Sequence, residues 1–174
     1  YIPLVMPVIP APIGAAIMAI ITTAIAPSTP VIVIAPMLVV ATTTGSGWLE
    51  PQTVDALEYL HAGDTAIVSM QYAYTPSWVS FVFDPDAPVV AAKVLFDAVE
   101  QRWLQLPPNN RPQLISYGLS LGAHGSQAVF ADLDELRART DGAMFVGSPG
   151  GSALWQSLQA ARDAGSPAWQ PVVD

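Results

Sequence analysis

The chain has 174 residues, a formal net charge of −8 and no cysteine. That length suffices for one domain with a real core. The acidic balance excludes a nucleic-acid partner, which would need a basic face, and no run of Lys or Arg exists to grip an anionic membrane surface. Hydrophobic residues make up 52% and charged residues 11%, less than half the usual ~25%. The deficit is local, because the first charge is Glu50.

The chain opens on Tyr1 rather than Met, so we expect a processed or partial product. Residues 1–36 are apolar and punctuated by Pro3, Pro7, Pro10, Pro12, Pro27, Pro30 and Pro36. The longest proline-free run, Ile13 to Ala26, would span about 21 Å as a helix, short of a ~30 Å hydrocarbon core. Membrane helices tolerate proline better than soluble ones, so Ile2 to Ala26 could still cross. A signal-peptide remnant, with Ala24-Ile25-Ala26 as the small-x-small cut, is a second reading. A buried proline-rich segment is the third.

From residue 37 strand and helix signals alternate. Met37 to Ala41 is a short apolar run of the buried-strand type. Pro51 to His61 reads as a helix opened by proline, with Val54, Leu57 and Leu60 on one face and Gly63 behind it. Thr65 to Tyr72 is the next strand, and Tyr72–Asp86 is read as a loop. Ala87 to Leu104 is a long helix with Val90, Val94, Leu95, Ala98, Val99 and Trp103 at helical spacing. Gln113 to Tyr117 is a strand, and a helix starts at Leu121. Asp132 and Glu135 form a capping box. Ala143 to Val146 is another strand. Ser152 caps a last helix that is expected to end near Gly165.

This order predicts an α/β fold, a mostly parallel sheet with helices on both faces, preceded by the apolar proline-rich segment. Residues 37–174 are expected to form that domain. In such sheets chemistry sits at the carboxyl ends of the strands. There stands Gly118-Leu119-Ser120-Leu121-Gly122, a G-x-S-x-G run with a buried strand before it and a helix after it. A serine hydroxyl needs to project where a substrate and a base can reach it, and a sharp strand-to-helix turn does this. The competing reading is a structural glycine-rich turn.

If Ser120 is a nucleophile, the oxyanion hole should use the Leu121 N–H and one N–H from the loop after an earlier strand. Thr43 and Thr44, in Thr42–Trp48, are the candidates; the alternative is a polar turn that satisfies its own backbone. Tyr72, Tyr74 and Trp78, with Phe81 and Phe83, could line an acyl pocket or simply pack. Of the two histidines, His61 ends a helix and His124 lies four residues beyond Ser120, where it should point into packing. Asp163 and Asp174 follow the serine in chain order and could each be the acid. His, Asp and Glu never cluster at ligand spacing, so no metal site and no cofactor are expected.

Val39 to Trp48, Val54 to Leu60, Gly63-Asp64-Thr65, Tyr117 to Gly122, Leu136 to Gly142 and Gly165 to Pro167 together resemble a bacterial membrane-associated α/β-hydrolase family of unassigned substrate. The resemblance covers roughly residues 37–174, which are then expected to form an incomplete, partial α/β-hydrolase domain. It implies that Ser120 is the nucleophile and that the acid and His lie beyond residue 174. It also implies a membrane region ahead of the hydrolase domain and a bacterial cell-membrane location. The expected activity is ester hydrolysis through an acyl-enzyme, on an ester or lipid-like small molecule. The expectation from a different class is a non-catalytic hydrolase-like subunit or membrane-anchored interaction domain. Two positions depart from the family pattern: Leu119 stands where Glu is usual, and Gly150-Gly151-Ser152 where an Asn-containing segment is usual.

Overall fold

A computed structural model describes residues 36–167 and Val172. The expected membrane, buried or signal segment, Pro36 apart, lies outside the described residues, as does Asp174. Among the described residues, no helix is long and apolar enough to cross a membrane.

The elements in chain order are β1 (Met37–Thr42), α1 (Pro51–Leu60), β2 (Thr65–Met70), α2 (Ser77–Phe83), α3 (Ala87–Leu104), a short 3-10 turn (Pro108–Asn110), β3 (Gln113–Leu119), α4 (Leu121–Gln127), α5 (Leu133–Arg139), β4 (Gly142–Val146) and α6 (Ala153–Ala160). The four strands form one parallel sheet in the order β2-β1-β3-β4. The register sets Thr42 beside Gly118 and Leu119 beside Val146, so the strands end together at the Ser120 turn.

Side-chain alternation along β1 divides the core between two faces. Leu38 and Val40 face a cluster with Ala92, Leu95 and Phe96 of α3, Leu136 of α5 and Leu154 of α6. Val39 and Ala41 face Tyr117, with Leu57 of α1 and Leu49 packed against them. Helices therefore cover both faces, as expected. In the larger cluster Phe96 and Phe130 meet edge to face at 5.1 Å between ring centroids. Burying a ring or a leucine such as Leu114 contributes roughly 1.5–3 kcal/mol each.

Several local readings differ from the structure. Residues 77–83 are helical, not loop: Pro76 precedes the first turn, and the Thr75 and Ser80 hydroxyls bond at 2.7 Å across it. Strand β2 stops at Met70, two residues early, where the Thr43 hydroxyl takes the Met70 carbonyl at 2.9 Å. Helix α3 buries Pro88, Ala91, Ala92, Leu95, Phe96 and Ala98, whereas Val90 is exposed. Its buried face thus combines the small Ala91, Ala92 and Ala98 with Leu95 and Phe96, and Val90 falls outside it. Helix α6 ends at Ala160 rather than near Gly165, and Arg162 then bonds back to Ser166.

The predicted cap of α5 is present. The Asp132 carboxylate accepts from Glu135 N at 2.8 Å, while the Glu135 carboxylate accepts from Ala131 N at 2.7 Å. Replacing Asp132 with Ala should cost about 1 kcal/mol, read as a lower denaturation midpoint at unchanged slope. Arg139, at the other end of α5, bonds Asp97 at 2.7 Å and Glu100 on α3 and Glu135 at 3.1 Å. Its guanidinium also lies 5.0 Å from the Phe96 ring centroid. The Glu100 hydrogen bonds, above all, hold Arg139 charged.

Glu135 titrates below the ordinary glutamate range, first because Ala131 N donates to it and then because Arg139 does. A depressed carboxyl stabilises the fold above its unfolded pKa, and that contribution is lost as pH falls through the folded value. Thermal unfolding should therefore separate wild type from Glu135→Gln at neutral pH. The two curves should converge only in acid below the ordinary glutamate range.

Candidate active site

Strand β3 delivers Ser120 to a turn of unusual backbone geometry. Ser120 sits at φ 54°, ψ −116°, in the left-handed half of the map. Such a conformation in a non-glycine residue costs about 1–3 kcal/mol and survives only where surroundings over-determine it. Here they do. Ser120 N donates to the Val146 carbonyl of β4 at 2.7 Å, and the Ser120 carbonyl accepts from His124 N at 3.1 Å. The apex is thus tied to the neighbouring strand on one side and to the first turn of α4 on the other. The side chain it presents is exposed.

The two flanking glycines are required by close approach. A Cβ on Gly118 would lie 2.5 Å from the Gly122 carbonyl oxygen. A Cβ on Gly122 would lie 2.2 Å from the Thr42 carbonyl oxygen of β1. The G-x-S-x-G spacing therefore has a steric reason in this fold: strand, turn and helix touch backbone to backbone. Ser126, one turn further along α4, adds a buried tie, with its hydroxyl donating to the Tyr117 carbonyl at 2.9 Å and 2.8 Å from Thr42 Oγ1.

Ser120 opens into a cleft of about 480 Å³ lined by Trp78, Phe81, Leu121 and Pro149. This volume falls in the range of small-molecule sites, ~300–1,000 Å³. Trp78 and Phe81 lie three apart on α2 and present one face to the cleft. Helix α2 is inverted relative to a water-facing helix. Ser80 points inward and is buried, while Trp78, Phe81, Val82 and Phe83 are exposed.

Sequence reasoning named Ser120, Leu121, Trp78 and Phe81, and the structure brings these four together. Tyr72 and Tyr74 are not among the lining residues: Tyr74 is exposed, and the Tyr72 hydroxyl is buried without a hydrogen-bond partner. Burial raises the Tyr72 pKa, keeping the phenol neutral. Thr43 and Thr44 are buried beside the elbow at the end of β1. The Thr44 N–H and hydroxyl both go to the Trp48 carbonyl, at 3.1 and 3.2 Å. Pro149 went unnoticed in the sequence, because no local pattern reports that the loop after β4 folds over the serine.

His61 caps the C-terminal end of α1. His124 faces packing from α4, with its Nδ1 buried and unpartnered. Among the described residues, no side chain hydrogen-bonds the Ser120 hydroxyl.

A parallel sheet flanked by helices, with a strained serine between a central strand and a helix, defines the class of α/β-hydrolase-like proteins. A family model described as "Alpha/beta-hydrolase family" matches residues 35–174, and the chain belongs to that family. Comparison with curated proteins and with solved structures found no match.

Proposed function

We propose that this chain carries the nucleophile of a membrane-associated serine hydrolase that cleaves esters with an apolar, lipid-like acyl part. The observation that supports this reading most is Ser120 itself, exposed at the floor of the cleft in a strained conformation that three backbone elements enforce. Strain of this kind is kept where it aims a side chain. The cleft walls of Trp78, Phe81, Leu121 and Pro149 suit a hydrocarbon acyl group.

In this reading the Ser120 hydroxyl attacks the ester carbonyl as a base removes its proton. The carbonyl oxygen becomes an oxyanion that accepts from the Leu121 N–H at the start of α4 and from the Thr43 N–H at the end of β1. Thr43 is preferred to Thr44 because the Thr44 N–H is already taken by Trp48. Collapse of the intermediate expels the alcohol with a proton and leaves the acyl-enzyme, which water then hydrolyses. The base and acid are assigned to residues beyond Asp174, as the family resemblance implies, and membrane attachment to residues 1–36.

One observation favours a second reading, a non-catalytic hydrolase-like subunit or membrane-anchored interaction domain: no described side chain is bonded to the Ser120 hydroxyl. Ester turnover separates the two. The full-length gene product should hydrolyse p-nitrophenyl esters, and its Ser120→Ala variant should not. Equal background rates in both would select the subunit.

A further inference from the structure

The loop after β4 reads Gly147-Ser148-Pro149-Gly150-Gly151-Ser152 and forms the Pro149 wall of the cleft. Three of its residues are glycines. A Cβ at Gly150 or Gly151 would meet nothing within 4 Å, so close approach does not require glycine there. Glycine raises the entropy lost when a segment is ordered, and this loop has little packing of its own to offset that. Its order must come from elsewhere.

Within the loop the Ser152 N–H reaches the Pro149 carbonyl at 3.4 Å, and the side-chain bonds that tie the loop to the rest of the domain converge on one residue. Gln127 is the last residue of α4 and is 2% exposed. Its Nε2 donates to Ser148 Oγ at 2.8 Å, and its Oε1 accepts from Ser152 Oγ. Ser152 Oγ in turn accepts from Trp155 N at 3.1 Å, capping α6. A single buried amide thus grips both ends of the loop, with Pro149 held between its two contacts. The same helix carries Ser120 at its opposite end, so nucleophile and cleft wall are referenced to one rigid element.

We infer that Gln127 is a positioning residue that fixes the Pro149 wall and so sets which acyl groups the cleft accepts. This rests on the hydrolase reading for its substrate but not for the clamp itself, and two measurements on the full-length product keep them apart. The first is hydrogen exchange. Gln127→Leu roughly keeps the volume and removes both bonds, so the amides of Gly147, Ser148, Gly150, Gly151 and Ser152 should exchange about tenfold faster or more while β3 amides stay protected. Unchanged exchange in the loop would overturn the clamp, whatever the protein catalyses.

The second measurement compares acetyl and octanoyl p-nitrophenyl esters. In Gln127→Leu the octanoyl:acetyl ratio of kcat/KM should shift about tenfold, carried mainly by KM, because one methylene in an apolar pocket can be worth that much. Ser148→Ala should shift the ratio in the same direction by less, and Ser148→Thr, which keeps the hydroxyl, should retain the wild-type ratio. An equal loss on both esters would mark a merely structural role and contradict the inference. Absence of wild-type turnover beside faster loop exchange would overturn the hydrolase reading and the acyl-selection role with it, and leave the clamp standing.

Discussion

Gly122→Ala should destabilise the domain by about 3 kcal/mol or more, a large part of the ~5–15 kcal/mol that holds a typical domain. The reason is what its new methyl would meet: the Thr42 carbonyl oxygen at 2.2 Å and the Thr43 carbonyl oxygen at 3.0 Å. Both are backbone atoms, and a flexible side chain is not available to give way. Strand β1 cannot retreat, because it is paired on one side with β2 and on the other with β3. Moving α4 instead would disturb Ser126, which bonds the Tyr117 carbonyl from the same helix. Gly118→Ala makes an instructive comparison. Its methyl would meet the Gly122 carbonyl oxygen at 2.5 Å and the Gly122 carbonyl carbon and Ala123 N at 2.6 Å, again all backbone atoms with no flexible side chain to give way. Chemical denaturation should place both Gly122→Ala and Gly118→Ala well below wild type. A loss under about 1 kcal/mol for Gly122→Ala would show that the elbow is looser than described.

Ser120→Ala should reduce ester turnover by the full-length product by about 10⁴-fold or more, the scale seen when a nucleophile or its partner is removed. Folding should survive the change. The Ser120 side chain makes no hydrogen bond among the described residues, whereas its backbone N–H and carbonyl, which bond Val146 and His124, remain. Alanine at φ 54° keeps the same backbone strain. Ser120→Gly should relieve that strain and raise the thermal midpoint while abolishing turnover equally. Stability and activity moving in opposite directions at one residue is the signature of strain retained for function.

Much of the fold was legible because local and tertiary signals agree there. Strand β4 and helix α3 carry strong patterns and clear boundaries, and Asp132 and Ser152 accept the cap hydrogen bonds their positions predict. Strand β3 runs two residues further than Tyr117, into the elbow itself. Helix α2 was hidden by its composition. Ser-Trp-Val-Ser-Phe-Val-Phe is apolar nearly all round and shows no helical contrast, and the buried polar Ser80 inverts the usual rule. Once α2 is a helix, Trp78 and Phe81 fall on one face, and the cleft wall follows. Tyr72 and Tyr74 precede that helix, in a segment whose course depends on tertiary contacts. Gln127 was invisible for a related reason. Nothing near it in sequence announces that Ser148 and Ser152 will arrive at its amide.

The central claim is that the elbow presents a reactive nucleophile. Its most direct test is to incubate the full-length product with a fluorophosphonate and map the labelled peptide by mass spectrometry. Attack by a serine oxygen expels fluoride and leaves a phosphonyl mass on that residue. The account predicts one label, on Ser120, absent from Ser120→Ala. A label on another residue, or none on a folded full-length product, would contradict it.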